Sequence, residues 1–228
     1  MYGRPDGGTF SLVACDLGER SWGVIVATKP MSVGAVVPWA GWRIGALATQ
    51  ARSNVTYGPR GLELLRRGHS AEEVVRRLTR ADPQREQRQL GVVDARGRSA
   101  AWTGAKCREW AGHVGGEGFS CQGNLLANER VVPAMVRAFD HASGSLARRL
   151  YVALRAGAYA GGDRRGMESS ALIVVHRERG FDPAWGDRWV DLRVDQHAEP
   201  VAELGRILRR EEASTRRFLA TRARPRRR

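Results

Sequence analysis

The hydrophobic period of this chain changes in blocks, and the order of those blocks limits the fold more than any other feature. TFSLVA (Thr9–Ala14) and WGVIVAT (Trp22–Thr28) read as short strands joined by the turn-like DLGERS, a hairpin signal. IGALATQ (Ile44–Gln50) reads as a third strand whose small residues suit close packing. The period then turns helical. PRGLELLRRG (Pro59–Gly68) has Pro near its start and Gly at its end. Ser70 to Glu73 forms an S-x-x-E capping box, opening a helix whose buried stripe is Val74, Val75 and Leu78. Strands return in RQLGVVD (Arg88–Asp94), RSAAWTG (Arg98–Gly104) and EGFSCQGN (Glu117–Asn124). Two helices follow, in NERVVPAMVRAFDHA with Asn128 as N-cap and in GSLARRLYVALRAG. SSALIVVH and DRWVDLRVD are strands, and a closing helix runs from Pro200 to about Glu212. This order lacks the regular βαβ alternation of a parallel sheet, and predicts an α+β fold with helices covering sheets from outside.

A length of 228 residues suits one ordinary domain or, at a stretch, two small ones. We divide the chain into a leader, residues 1–8, a single domain, residues 9–212, and a basic, solvated tail, residues 213–228. The net charge of +14 suggests nucleic acid at first sight. Only Lys29 and Lys106 among the 38 basic residues are lysine, so the arginine excess reflects a bias in usage. The last twenty residues hold nine Arg against Glu211 and Glu212, a net +7 and half of the total. No RNP motif, recognition helix or stacking platform accompanies the charge, so no specific nucleic-acid partner is expected.

The longest uncharged run, Pro30 to Trp42, is too short and too broken by Pro38 for a span of about 20 residues, so no membrane partner is expected. MYGRPDGG has no apolar core of a secretory signal, and the cytoplasm is the expected compartment. Cys15, Cys107 and Cys121 are odd in number and widely spaced, which suits reduced thiols. Cys107, His113 and Cys121 could meet at one metal, but without a CxxC no metal site is expected. GGDRRG (Gly161–Gly166) is too short for a Walker loop and lacks its Lys and Ser/Thr, and no cofactor is expected.

Several blocks together carry a family resemblance: TFSLVACD, GVIVATK followed by VGAVVPWA, GALATQA with NVTYGPRGLELL, RQLGVVD, CREWAGH, QGN, GGDRRG with SSAL, and DRWVDLRVDQH. Over Thr9 to Leu208 the chain resembles the uncharacterised Ntn-hydrolase-like proteins known as domain of unknown function 1028. The resemblance implies the four-layer αββα sandwich of N-terminal-nucleophile hydrolases, and with it an amidohydrolase. In such an enzyme a Thr, Ser or Cys at the head of the first strand attacks an amide, and its own free α-amine is the general base.

Thr9 stands at that head, but eight residues precede it. Relatives resembling this chain tend to begin Met-Thr-Phe-Ser, where methionine removal frees the Thr amine. Here either translation starts later, or the Gly8–Thr9 bond is cut, or Thr9 stays blocked and the fold serves as a binding or scaffold module. Gly7-Gly8 before Thr9 makes self-cleavage sterically reasonable.

Other candidates surround Thr9. Ser11 lies two residues on and shares its strand face. The resemblance implies that Lys29, closing the second strand, lowers the pKa of the nucleophile. Gln122 and Asn124 flank Gly123 and offer amide donors for an oxyanion hole. Asn54, Tyr57 and Arg60 lie in a strand-to-helix loop, where binding residues collect. Asp163 and Arg164 either orient a site that binds a carboxylate or form a buried ion pair, and His113 could shuttle a proton. The expected substrate is a small-molecule or peptide-like amide or lactam, with acyl transfer or cyclisation as alternatives in the same pocket. The expected assembly is a homodimer or higher homo-oligomer. The apolar VGAVVPWAGW, with Trp39 and Trp42, would line either a pocket or that contact.

Overall fold

The computed structural model describes residues 8–176 and 187–222. Of the expected leader only Gly8 is among them, and residues 223–228 of the expected tail lie outside. The described chain is mixed α+β, with two antiparallel sheets and five α-helices. The six-stranded sheet has the order β10-β9-β2-β1-β8-β7, and the four-stranded sheet the order β3-β4-β5-β6. The strands of the first are β1 (Thr9–Asp16), β2 (Ser21–Thr28), β7 (Gly112–Gly116), β8 (Phe119–Asn124), β9 (Ser169–Val175) and β10 (Arg188–Val194). Those of the second are β3 (Pro38–Gly41), β4 (Gly45–Ala51), β5 (Arg88–Asp94) and β6 (Ser99–Thr103). The helices are α1 (Tyr57–Arg66), α2 (Ala71–Arg80), α3 (Val131–His141), α4 (Leu146–Tyr159) and α5 (Pro200–Arg222). No helix among the described residues is long and apolar enough to cross a membrane.

Three apolar cores follow from the strand period of two. On β1, Phe10, Leu12 and Ala14 pack with Ile25 of β2 against Met135 and Phe139 of α3, Leu150 and Leu154 of α4, and Leu204 of α5. On the other face Val13 and Cys15 join Val24 and Val26 of β2 and meet Ala46, Ala48 and Val93 of the four-stranded sheet. That sheet turns Leu47, Leu90 and Val92 outward onto Tyr57 and Leu65 of α1 and Val74 and Leu78 of α2. Because β1 and β2 are covered on both faces, their sequences are nearly continuous apolar runs.

The helix signals act locally as expected, with shifts at the ends. The Ser70 side chain accepts from the Glu73 amide at 3.2 Å, and Glu73 accepts from the Ser70 amide at 2.9 Å, completing the capping box. α1 begins at Tyr57, ahead of Pro59. Pro59 falls in the first turn, where its missing N–H has no helical partner to lose. Asn128 is not the N-cap of α3, which starts at Val131 after Arg130. The Asn128 carboxamide instead accepts from the Arg130 amide at 2.9 Å and donates to the Ala160 carbonyl at 2.9 Å, tying two loops together.

α5 runs on to Arg222, past the expected end near Glu212. Its apolar anchors, Val201, Leu204 and Leu208, lie in the first half. The remainder is rich in Arg, Ala and Glu, all of which favour helix. β3 and β7 were not expected. Trp39 on β3 packs against α1, where a Cβ on Gly58 would lie 2.1 Å from the indole, and its Nε1 donates to the Val36 carbonyl at 3.0 Å. Trp42 packs beside the inter-sheet core.

Removing the α2 cap tests how far the helix depends on it. Ser70→Ala should lower the urea midpoint, with the slope unchanged, by an amount equal to about 1 kcal/mol.

Candidate active site

Thr9 opens β1 between two neighbours, opposite Thr28 of β2 and Asn124 of β8. Its side chain shares the inward face with Ser11, which points between the sheets. Toward this end of β1 the inter-sheet layer changes from oil to amide. Ser11 donates to Gln50 Oε1 at 2.7 Å and accepts from Gln122 Nε2 at 2.6 Å, and Ser120 donates to Gln122 Oε1 at 2.9 Å. Gln50 Nε2 donates to Gln89 Oε1 at 2.8 Å and reaches the Thr9 carbonyl at 3.3 Å. Asn124 Nδ2 donates to the same Gln89 oxygen at 3.0 Å, and Gln89 Nε2 donates to Thr103 Oγ1 and to the Gly123 carbonyl. All these side chains except Thr103 are buried. Gly91 leaves the room they need, because a Cβ there would lie 2.1 Å from Gln122 Oε1.

Thr9 Oγ1 lies 3.0 Å from Thr28 Oγ1, and the Thr28 hydroxyl donates to the Gly8 carbonyl. Asp163 sits beside Gly8 with a fully buried side chain. Its Oδ2 accepts from the Lys29 amide at 2.9 Å and Arg165 Nη2 at 2.8 Å, and its Oδ1 from the Arg165 amide at 3.0 Å. Arg165 Nη2 also reaches the Gly8 carbonyl at 3.5 Å. A Cβ on Gly8 would stand 2.5 Å from Asp163 Oδ1 and 2.8 Å from the Leu125 carbonyl, so only glycine fits before Thr9. Asn124 and Leu125 border a cleft of about 40 Å³ whose rim carries Arg52, Lys106 and Arg108. Two of its lining residues, Ala51 at φ 65° and Leu125 at φ 50°, are left-handed without being glycine. Both conformations are sparsely populated for residues that carry a side chain.

Thr9, Ser11, Gln122, Asn124 and Asp163 thus come together, and Gln50, Gln89, Thr28 and Arg165 join them without having been singled out in the sequence. Strand parity was the available signal: Gln50 and Gln89 share faces with the inward Ala48 and Gly91, and Thr28 is the residue opposite Thr9. Lys29 projects elsewhere, its Nζ paired with Glu168 and its side chain 40% exposed. Arg164 is exposed, and the ion pair of Asp163 is made by Arg165.

Asn54 and Tyr57 belong to a second network. Asn54 Nδ2 and Tyr57 Oη donate to Asp82 Oδ2 at 3.1 and 3.0 Å, as does Arg88 Nε at 2.9 Å, while Arg60 is exposed on α1. His113 is exposed on the edge strand β7, its Nδ1 2.9 Å from Thr103 Oγ1. Cys107, His113 and Cys121 do not converge: the Cys107 thiol meets the Arg88 carbonyl and the Cys121 thiol meets Met135. Among the described residues no three His, Cys, Asp or Glu side chains group as metal ligands. Burial pushes the Cys15 thiol up to about 12 and the Cys107 thiol to about 11, and raises Cys121 as well. None of the three is held as a thiolate near neutral pH.

Residues 9–204 match the model of a family of unknown function, DUF1028, and the chain belongs to that family. The crystal structure of a Silicibacter pomeroyi protein assigned to DUF1028 is similar, with a TM-score of 0.81 and 31% sequence identity. The alignment covers 89% of this chain and 88% of that one. No curated protein of known function matches.

The Asp82 network makes a separate prediction about stability. Burial alone would raise the Asp82 carboxyl, but hydrogen bonds from Arg88, Asn54, the Gln84 amide and Tyr57 outweigh it and bring it down to about 2. A depressed folded-state value stabilises the protein above the ordinary 3.8, and the contribution fades as pH falls through about 2. Asp82→Ala should cost about 3–5 kcal/mol near neutral pH by leaving the buried Arg88 unpaired. In urea titrations the gap between wild type and Asp82→Asn should narrow as the pH drops from about 4 to about 2.

Proposed function

We propose that this protein is an N-terminal-nucleophile amidohydrolase with Thr9 as its nucleophile. On this reading the three stacked cores are the αββα sandwich of that superfamily. The observation that carries the proposal is the setting of Thr9. It heads a strand buried on both faces, its hydroxyl bonds a second buried hydroxyl, and the carbonyl before it is held by Thr28 and Arg165. The Gly8 carbonyl then stands where the carbonyl of a substrate would lie once residues 1–8 have gone.

The free Thr9 amine takes the hydroxyl proton, and Oγ1 attacks the substrate carbonyl. The negative oxygen that develops is met by the Thr28 hydroxyl and the Arg165 guanidinium, which Asp163 holds in position. Collapse expels the leaving amine with a proton from the Thr9 ammonium, and water hydrolyses the acyl ester by the same route. Gln122 and Asn124 donate to Ser11 and Gln89, so they take the role of holding β1 and β8 in register. Lys29, paired with Glu168, is given no part in lowering the pKa of Thr9. The cations at the cleft rim favour a small amide that carries a carboxylate or another anionic group. Hydrolysis and transfer to an amine acceptor share all of these steps up to the ester.

Intact mass of the purified full chain tests the reading directly. The wild type should lack residues 1–8, and Thr9→Ala should keep them. Against a panel of anionic amides the processed protein should gain activity through about pH 7–8, as an α-amine of ordinary pKa loses its proton. A chain that stays whole, with no amide turned over and no effect of Thr9→Ala, would leave the blocked scaffold as the better account.

A further inference from the structure

The hydrogen bonds around Gly8 and Thr9 fix a direction. The Gly8 carbonyl can only accept, so the Thr28 hydroxyl must donate to it. A hydroxyl carries one proton, so at the 3.0 Å contact between Thr28 and Thr9 the donor must be Thr9. A continuous path therefore runs from Thr9 Oγ1 through Thr28 Oγ1 to the oxygen of the bond that precedes Thr9. Thr9 is 5% and Thr28 3% exposed, which keeps bulk water from competing for these protons. Arg165 Nη2, 3.5 Å from the same oxygen, favours negative charge on it.

We propose that Thr28 is the proton relay by which the chain cleaves its own Gly8–Thr9 bond. The proposal rests on Thr9 being the nucleophile, and it assigns the processing step to a residue and a mechanism. Thr9 Oγ1 bonds to the Gly8 carbonyl carbon as the C=O π bond opens. The Thr9 proton moves to Thr28 Oγ1 while the Thr28 proton moves to the Gly8 oxygen, giving a neutral cyclic hydroxyoxazolidine. The C–N bond then breaks, and the proton of the new hydroxyl passes to the Thr9 nitrogen. An ester of Gly8 on Thr9 Oγ1 and a free amine remain. Water hydrolyses that ester, releasing a Gly8 carboxylate and leaving Thr9 with both its hydroxyl and its amine. No external base takes part in the first step, because every proton lost by one oxygen is gained by the next. The uncleaved Thr9 nitrogen is an amide and cannot serve as base, so processing and turnover differ in what takes the hydroxyl proton.

The steric fit at Gly8 supports the same assignment. The buried Asp163 carboxylate and the Leu125 carbonyl leave no space for a side chain there, which holds the Gly8 peptide against the two hydroxyls.

The test follows intact mass over time in full 228-residue chains made by cell-free synthesis, with saturating hydroxylamine present so that the ester is released as soon as it forms and the rate reads the first step alone: wild type, Thr9→Ala, Thr28→Val and Thr28→Ser. Wild type and Thr28→Ser should lose residues 1–8, and Thr9→Ala should stay whole. Thr28→Val keeps the shape without the hydroxyl and should be slowed about 100-fold or more, with a melting temperature near that of Thr28→Ser. The wild-type cleavage rate should be level from about pH 6 to about pH 8, since no titrating base is used. Cleavage of Thr28→Val at the wild-type rate, with Thr9→Ala intact, overturns the relay and leaves the nucleophile standing. A wild-type chain that never loses its leader overturns both. If Thr28→Val does not fold, the wild-type pH profile decides: a rate that climbs through neutrality means a titrating base and overturns the relay.

Discussion

The two sheets of this protein are joined by a layer that is apolar at one end and made of amides and hydroxyls at the other, and the site depends on the polar end. Buried amides are costly unless their donors and acceptors are met. Here Gln50, Gln89, Gln122 and Asn124 meet one another, Ser11 and nearby carbonyls. Such a network tolerates one register only. A slip of one residue in β1 would turn Ser11 and Thr9 toward the helices and Phe10 into the amides. The same bonds that stabilise the layer therefore bring Thr9 opposite Thr28 and next to Asn124.

Around that point the chain builds two kinds of polar contact. The amide network is neutral and sets position. The charged pair of Asp163 and Arg165 is held on one side of Gly8, where it meets the backbone rather than the layer. A buried carboxylate with several donors is a rigid support, and it keeps the guanidinium directed at the carbonyl before Thr9. The carbonyl before Thr9 thus has a positioned cation on one side, and no three His, Cys, Asp or Glu side chains group as metal ligands among the described residues.

Much of the fold was legible because the periods were strong. β1, β2, β5 and the capped α2 stand out as mostly apolar runs or as a box with a stripe. β3 is four residues long with Pro at its start, and β7 is GHVGG, so neither carries a strand signal of its own, and both form by pairing with a neighbour. At the site, Thr9, Ser11, Gln122, Asn124 and Asp163 were visible as polar residues at strand ends or in a glycine-rich loop. The misses nearby were by one residue. Lys29 drew attention as a rare lysine, but Thr28 is the residue facing Thr9; Arg164 stood next to Asp163, but Arg165 is its partner. Composition identifies a segment, whereas face and pairing are set by parity and by loop path. Gln50 and Gln89 were hidden for another reason: a lone glutamine in a strand becomes informative only when the opposing sheet is known.

The divided layer also gives the two ends of the sheet contact opposite responses to temperature. Apolar contact between Val13, Val24 and Val93 weakens on cooling, whereas amide hydrogen bonds, being enthalpic, hold or tighten. Cooling therefore loosens the end away from Thr9 first and leaves the end that aligns it in register. In a chain joined in this way, geometry at Thr9 is the last part of the inter-sheet contact to be lost in the cold.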